Sequence, residues 1–313
     1  MNKQILFLYK TQFQKRNLPL CHEAIKSVLR KFRKSISAEC REIDFSLSCR
    51  KKMKEILLKD VSLSDCVLYY GDTAGEDTDF FIDCLGAYSS QYFSGTHSIT
   101  SPIVSETTEK TDDFIRKTAV TKIADVKKTV PLALDTAKGR SKKIIICTDS
   151  GSEDDCLLYE EVENALANTR EYDITHYDFD ELIYTFTKGI PSFDTVICPQ
   201  DKASVIKMHV NSLNRFPLAY SILHTERCRI YKHESLPYED FSNLSYASLL
   251  IAVGNMLEKE LGFKSAGVHL KKSVRLAIEK CFSESTTEFQ EELLRQINTP
   301  LRNRQVKIND SEN

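Results

Sequence analysis

Short runs of β-branched and aliphatic residues alternate with amphipathic segments along most of the chain. KKIIICT (142–148) and FDTVICP (193–199) are typical of buried strands, and CLLYEEVENALANT (156–169) has the apolar spacing of a helix. Successive parallel strands need a crossover of about a dozen residues or more, which such helices supply. The alternation therefore predicts an α/β fold with a mostly parallel sheet and helices on both of its faces.

The same alternation of strand and helix patterns extends toward both ends of the chain. QILFLY (4–9) predicts a strand and LCHEAIKSVLRKF (20–32) a helix, and the last third predicts a strand over 228–233 and a long helix from Tyr246 to Leu261. Composition turns polar near 95–100 and 214–222. We therefore predict loops there, as the candidate boundaries between two domains.

Composition excludes several classes of function. Only 10 of the 313 residues are glycine, although loops that wrap phosphates depend on glycine for close backbone approach. The 43 basic and 45 acidic residues leave a net charge of -2, so no overall field attracts nucleic acid or an anionic membrane. The longest apolar run, ASLLIAV (247–253), is far too short to span a bilayer. We expect neither nucleic acid nor membrane as a partner.

The 10 cysteines are scattered without a CxxC pair, which argues against a zinc site or a redox dithiol and favours a reducing compartment. The first residues lack the long apolar region of a secretory signal. We predict a cytoplasmic protein, with the mitochondrial matrix as the alternative.

The acidic loop SGSEDD (150–155) has two interpretations. Its polar side chains resemble a loop for magnesium or calcium, but acidic residues are also favoured in the first turn of a helix, where they interact with its dipole. We favour helix capping, because a helical pattern follows directly.

Several segments, taken in order, resemble the isocitrate and isopropylmalate dehydrogenase family of decarboxylating β-hydroxyacid dehydrogenases. VSETTE (104–109) stands where the family has Arg-Glu-Asn-Thr-Glu-Gly, and GRSKKIIICTDSG (139–151) where a strand leads to its catalytic Lys and Asn. FDTVICP precedes the position of the metal-binding helix, and HESLP (233–237) stands where the family has His-Gly-Ser-Ala-Pro. The resemblance covers most of the chain, more weakly at its start.

The resemblance implies the isopropylmalate dehydrogenase-like two-domain fold. Residues 1–100 together with 220–313 would form the first, nucleotide-type domain. Residues 101–219 would form the second, central domain, through which the family dimerises.

The positions at which the family binds and oxidises its substrate are mostly changed. Its three substrate arginines fall on Ile82, Tyr92 and Ser105, none of which is basic. Its catalytic Lys aligns with Asp149 and the neighbouring Asn with Gly151. An acid at the Lys position would repel a carboxylate substrate, so we expect no catalytic residue.

The metal site is similarly reduced. Asp180 matches one carboxylate that the family contributes across its dimer, with Asp178 as an alternative, while the two acids expected after FDTVICP are Ser204 and Met208. Because a divalent cation needs several oxygen ligands, we expect no metal and regard Asp180 as vestigial.

Of the nucleotide motif, His233, Ser235 and Pro237 remain as vestiges. Its first glycine is replaced by Glu234, whose side chain would block close backbone approach and oppose phosphate charge. The Asn that reads adenine is replaced by Tyr246. We expect no bound cofactor.

One surface offers a different role. The family packs the helix after FDTVICP against the same helix of its partner, and here Val205, Ile206, Met208 and Val210 occupy that helix. These side chains either form an interface or face the chain's own core, and the sequence favours neither.

Two functional hypotheses follow. The first is a non-catalytic homologue, or pseudoenzyme, that acts as a regulatory or interaction subunit, either as a homo-oligomer or with a catalytic relative. The second is a divergent enzyme with rebuilt specificity, an NAD(P)-dependent 2-hydroxy acid oxidoreductase or an enzyme for another ligand.

Overall fold

A ten-stranded sheet organises the computed structural model, with the strand order β2-β1-β3-β12-β11-β4-β5-β10-β8-β9. The structure describes residues 3–9, 18–43, 50–70, 75–111, 115–167, 169–189, 192–212, 214, 216–234, 242–282 and 284–299. The strands of this sheet are β1 (Lys3–Tyr9), β2 (Ile36–Glu42), β3 (Cys66–Tyr70), β4 (Ala87–Ser94), β5 (His97–Pro102), β8 (Lys143–Thr148), β9 (Asp173–Asp178), β10 (Thr195–Ile197), β11 (Ala219–Thr225) and β12 (Arg229–His233).

Ten helices belong to the described part of the chain. They are α1 (Leu18–Lys31), α2 (Arg50–Ser62), α3 (Gly75–Leu85), α4 (Ile123–Lys138), α5 (Glu153–Leu166), α6 (Phe179–Lys188), α7 (Gln200–Ser212), α8 (Ser242–Lys259), α9 (Lys264–Cys281) and α10 (Thr286–Asn298). Within the described ranges, none of them combines the length and the apolar character that a membrane crossing requires.

The sheet is mostly parallel, which confirms the predicted α/β class. Strands β2, β1, β3 and β12 pair in parallel at one end, and β5, β10, β8 and β9 pair in parallel at the other. The three pairs in the middle, which join β12, β11, β4 and β5, are antiparallel. The strand direction therefore reverses at the centre, and the two parallel groups end at opposite edges of the sheet.

Helices cover both faces. On the first face, α1, α8, α9 and α10 pack over one half of the sheet, and α4 and α5 over the other half. On the second face, α2 and α3 cover one half, and α6 and α7 the other. Each face therefore has two apolar cores, which meet above the antiparallel middle strands.

Buried polar side chains connect the two cores of the first face. The Gln91 amide nitrogen donates to Thr100 and Thr136 at 3.2 and 3.3 Å, and its carbonyl oxygen lies 2.8 Å from Nε2 of His224. Burial, together with the charges of Arg229 and Lys259, lowers the pKa of His224 to about 3, so this ring is neutral at physiological pH.

This polar centre explains where the sequence predictions were wrong. The predicted loops 95–100 and 214–222 overlap β5 and β11, which are internal strands of the sheet. Their serine and threonine residues favour a surface loop by composition, but they lie among other polar groups inside the molecule. The chain leaves the large sheet at Ile103, after β5.

After Ile103 the chain forms a separate two-stranded ribbon of β6 (Val104–Lys110) and β7 (Ile115–Thr121). The backbone N–H of Val104 donates to the Gln200 side chain at 2.9 Å, which fixes the base of the ribbon to α7. From Ser105 onward, all of its described side chains are exposed. This ribbon contributes nothing to the four cores of the large sheet.

Two glycines allow α8 and α9 to pack closely. A methyl group on Gly267 would lie 2.3 Å from the carbonyl oxygen of Gly254, and one on Gly254 would lie 3.1 Å from the carbonyl oxygen of Gly267. The backbones are in near contact here, so neither position has room for a side chain.

We expect Gly267→Ala to lower the free energy of unfolding by about 1–3 kcal/mol, because the helices must separate to admit the methyl group. Urea denaturation measures the change. Gly139→Ala is the matched control: its methyl group would meet nothing within 4 Å, and the stability should change by less than about 0.5 kcal/mol. Equal effects in the two variants would contradict the close packing.

Candidate functional site

The residues singled out from the sequence lie at opposite edges of the sheet. Asp149 follows the carboxyl end of β8, and Asp180 lies in the first turn of the helix after β9. His233 is the last residue of β12, which runs in the opposite direction. Ser235 and Pro237 lie outside the described residues. Within one chain, the residues aligned with the family's metal site and those aligned with its nucleotide site therefore lie at opposite edges of the sheet.

The loop after β8 is a helix cap. The carboxylate of Asp149 accepts a hydrogen bond from the Gly151 backbone at 2.9 Å, so the two positions aligned with the family's Lys and Asn bond to each other. The Ser152 hydroxyl accepts from the backbone N–H of Asp155 at the start of α5. The capping interpretation of SGSEDD is confirmed.

A buried ion pair lies directly beneath this loop. Lys202 Nζ of α7 is 2.8 Å from Oδ2 of Asp155, and the two side chains are only 10% and 9% exposed. The same carboxylate oxygen accepts from the Asp149 backbone at 2.8 Å. Burial alone would lower the pKa of Lys202, but Asp155 outweighs it and raises that pKa. This buried ammonium beside the loop is therefore already neutralised.

The acidic positions of the next loop are also used for capping. Oδ2 of Asp178 accepts from the hydroxyl and the backbone N–H of Ser150, at 2.6 and 2.9 Å. These bonds lower the pKa of Asp178. Oδ1 of Asp178 accepts from the backbone of Asp180, whose own side chain is exposed. Within the described ranges, no group of three or more His, Cys, Asp or Glu side chains is arranged to hold a metal ion.

The apolar residues of helix α7 divide between the two predicted roles, packing in the chain's own core and exposure to a partner. Ile206 and Val210 are fully buried in the core between α6 and α7, whereas Met208 is 50% exposed. Ser204 is also exposed. The helix therefore faces its own core with two of these residues and leaves Met208 available to a partner.

The three positions aligned with substrate arginines lie on three elements. Ile82 of α3 packs against the core of α2 and α3. Ser105 is exposed on the ribbon. Tyr92 of β4 is 2% exposed and lies at the centre of the second face, where the two apolar cores meet.

Charged side chains surround Tyr92. Lys207 of α7 places its ammonium group 5.0 Å from the centre of the Tyr92 ring. Across the strands, Tyr92 pairs with Ser221, which pairs with Lys232. Lys232 Nζ lies 3.5 Å from Oε1 of Glu234, with side chains 14% and 15% exposed. We call Tyr92, Lys207, Ser221, Lys232 and Glu234 the central cluster.

Among its described residues, the central cluster contains two lysines and one carboxylate. Burial of Glu234 would raise its pKa, but Lys232, Lys207 and the Ser221 hydroxyl outweigh this effect and lower the pKa to about 2. Glu234 is therefore ionised at physiological pH. The side chain expected to oppose phosphate charge is largely neutralised by Lys232.

The central cluster also contains buried polar atoms that face one another. The Tyr92 phenol interacts with the side chains of Asn211 and Ser94, and the Ser221 hydroxyl interacts with the Glu234 carboxylate. Within the described ranges these contacts are not well-formed hydrogen bonds. Because a poorly paired buried polar atom costs up to about 1–3 kcal/mol, these groups are candidates for hydrogen bonds to a small polar molecule.

Neither Lys207 nor Lys232 belongs to a motif that is visible in the sequence. One signal for Lys232 was present: in CRIYKH, alternation places it on the same face as Ile230, which is fully buried. A lysine at an inward position of a buried strand indicates a polar site. For Lys207 the helical pattern gave no comparable sign, because lysine is common on exposed helix faces.

Comparison with known proteins gives the fold alone. No protein-family model matches the chain, and no protein of curated function is similar to it in sequence. Among solved structures, the crystal structure of the TT0538 protein from Thermus thermophilus superposes with a TM-score of 0.74 at 16% sequence identity. The match covers 98% of this chain and 70% of that chain.

We expect Lys202→Met to lower the free energy of unfolding by about 3–5 kcal/mol, because it leaves the Asp155 carboxylate buried without its cation. Adding Asp155→Asn should recover part of this loss, since the amide oxygen still accepts from the Asp149 backbone. Urea denaturation of the three proteins measures both effects.

Lys142→Met is the control for this ion pair. Lys142 and Glu171 also lie 2.8 Å apart, but their side chains are 40% and 59% exposed. This exposed pair should contribute far less to stability, because solvent screens the two charges. A loss at Lys202 no larger than that at Lys142 would show that the buried pair does not stabilise the loop.

Proposed function

We propose that the chain is a non-catalytic homologue of the isocitrate and isopropylmalate dehydrogenase family and acts as an interaction or regulatory subunit. The observation that supports this proposal most directly is the hydrogen bond from the Gly151 backbone N–H to the Asp149 carboxylate. It forms the turn that precedes the Ser152 cap of α5, and it occupies both positions at which the family would place its catalytic Lys and Asn. The neighbouring Lys202 is paired with Asp155 and is not free to replace the missing base.

The proposal includes the family's two-domain arrangement, with residues 1–100 and 220–313 in the first domain and 101–219 in the second. The turn between β4 and β5 supports a boundary near residue 95, because strand direction reverses there. Gly95 adopts a φ of +60° in this turn, a conformation that side chains disfavour. Cytoplasmic localisation is part of the proposal, supported by the described cysteines, which are all free thiols.

The ribbon of β6 and β7 supports an interaction role. An isolated two-stranded sheet is at best marginally stable in water, and it usually needs a third strand or a packed face. Ile115 and Val120 on the ribbon are 69% and 50% exposed, and Ile123 beside its base is 56% exposed. Ile115 and Val120 point to opposite faces of the ribbon. We propose that a second copy of this chain covers the face that contains Val120.

The positions of the vestigial motifs agree with this arrangement. His233 and Asp180 lie toward opposite edges of the sheet in one chain, so a site that combined the two motifs would need a second chain. The second copy can be replaced by a catalytic relative with an equivalent ribbon, which gives the hetero-oligomeric version of the proposal.

Two measurements on the purified chain test the proposal together. With magnesium, NAD or NADP, and isocitrate or isopropylmalate, we expect no turnover near the rates of about 1 per second or faster that are typical of enzymes. Sedimentation velocity should give the mass of a dimer, and Val120→Lys should shift it to the monomer by placing a charge in the apolar contact.

Leu63→Lys is the control for the mass measurement, because Leu63 is also strongly exposed, at 60%, but lies after α2 and not on the ribbon. This variant should remain a dimer. Turnover at enzymatic rates would refute the non-catalytic role. A monomer at all concentrations would refute self-association and leave only the hetero-oligomer to examine.

The central cluster favours a second candidate, a rebuilt ligand site in a divergent enzyme or binding protein. Its two lysines and its buried Tyr92 and Ser221 hydroxyl groups suit a small carboxylate. Unlike the family's substrate site, the cluster includes no group of acids for a metal among the described residues.

A thermal-shift screen of carboxylates, including isocitrate and isopropylmalate, tests the second candidate. A ligand at a hundred times its Kd should stabilise the chain by about 2.7 kcal/mol, with or without EDTA. Lys207→Met should abolish the shift. Lys188→Met should retain it, because Lys188 makes a similar contact with the exposed Tyr184 ring, at 4.2 Å, away from the cluster. No shift with any carboxylate would eliminate this candidate.

A further inference from the structure

A cavity of about 390 Å³ opens on the first face of the sheet, on the side opposite the central cluster. It lies between the ends of β4 and β11 on one side and helices α8 and α9 on the other. Its volume falls in the range of roughly 300–1,000 Å³ that is usual for small-molecule sites. The sequence motifs did not indicate it, because its lining comes from five separate parts of the chain.

The inner wall of the cavity is apolar and aromatic. Phe93 and Tyr220 stack across β4 and β11, with ring centres 4.9 Å apart and planes only 8° from parallel. Phe216, Ile251 and Ile278 complete this wall. A ligand that fills the cavity would therefore bury an apolar body against these side chains.

The outer wall carries two guanidinium groups, from Arg140 and Arg275, and both side chains are exposed. Neither forms an ion pair within the described ranges; Arg140 donates only to the backbone carbonyl of Thr96. Burial raises the pKa of the Tyr220 phenol; the charges of Arg140 and Arg275 act to lower it, and Glu258 acts to raise it. The remaining N–H groups of the two arginines are available to an anion.

The other charged groups set the net charge of the cavity. Lys271 is neutralised by Glu258, with Nζ and Oε1 2.8 Å apart, and also donates to Asn255. Glu279 lies one helical turn beyond Arg275 without an ion pair in the described ranges. Among the described residues that line the cavity, two arginines face one free carboxylate, which leaves an excess of one positive charge.

We propose that this cavity is a binding site for a small organic monocarboxylate with an apolar body. Arg140 and Arg275 bind the carboxylate from two sides, and the wall of Phe93, Phe216 and Ile278 takes the body. A singly charged head group matches the excess charge of the site, whereas Glu279 opposes a phosphate dianion. The fork of a guanidinium also fits the two oxygens of a carboxylate.

Isothermal titration with phenylacetate tests the proposal, with four comparison compounds. Acetate has the carboxylate without the apolar body, and benzyl alcohol has the aromatic body without a charge. Phenyl phosphate replaces the carboxylate with a dianionic phosphate, and phenylalanine adds an ammonium group to the acid. We expect phenylacetate to bind at least about tenfold more tightly than acetate, benzyl alcohol or phenyl phosphate. Phenylalanine binding more tightly than phenylacetate would support the same site with Glu279 as partner of the ammonium group.

Arg275→Gln and Arg140→Gln should each weaken phenylacetate binding by about tenfold or more, the usual effect of losing one charge-assisted bond. Lys272→Gln is the matched control: Lys272 is an exposed cation on α9 that does not line the cavity, so its Kd should be unchanged. Equal melting temperatures would show that all three variants fold.

Three results would overturn the proposal. They are the absence of saturable phenylacetate binding up to about ten millimolar, unchanged affinity in both arginine variants, and an equal loss in Lys272→Gln. Because none of these measurements involves dehydrogenase turnover or the mass of the assembly, their outcome is separate from that of the proposed function.

Discussion

The reversal of strand direction at the centre of the sheet determines where every other feature of this molecule lies. Three antiparallel pairs link β12, β11, β4 and β5, so the two parallel groups end at opposite edges. Loops after the carboxyl ends of parallel strands are the usual place for binding residues. In this chain the reversal separates Asp149 and Asp180 from His233. The same reversal places polar side chains in the middle of both faces, where the helical cores meet.

The outer parts of the sheet could be predicted from the sequence, and its centre could not. Strands such as β8 consist of consecutive apolar residues because helices cover both faces of the sheet. This run of apolar residues can be recognised from the sequence alone. Strands β4 and β5 instead contain Ser89, Gln91 and Thr100, which are buried because they bond to one another or to neighbouring strands. Pairing between distant segments satisfies these groups, and local composition does not reveal such pairing.

Only part of the candidate site could likewise be predicted from the sequence. The capping role of Ser152 follows from a short local pattern, and the structure agrees with it. The central cluster depends on Lys207, Lys232 and Tyr92, which lie far apart in the sequence and meet only through the order of the strands and the position of α7. Local sequence patterns do not show that lysines from two separate elements lie near Tyr92. The resemblance to the dehydrogenases therefore predicts the absence of arginines at three positions, but it does not predict the central cluster.

The central cluster and the cavity are the two faces of the same pair of strands. Along β4, Tyr92 points to the cluster and Phe93 to the cavity; along β11, Ser221 and Tyr220 divide in the same way. Because adjacent residues of a strand point to opposite faces, a shift of either backbone would move groups in both places at once. The tight stacking of Phe93 on Tyr220 holds β4 and β11 in register at this point. We therefore expect a molecule that alters this stack to change the spacing between Tyr92 and Ser221 on the other face as well.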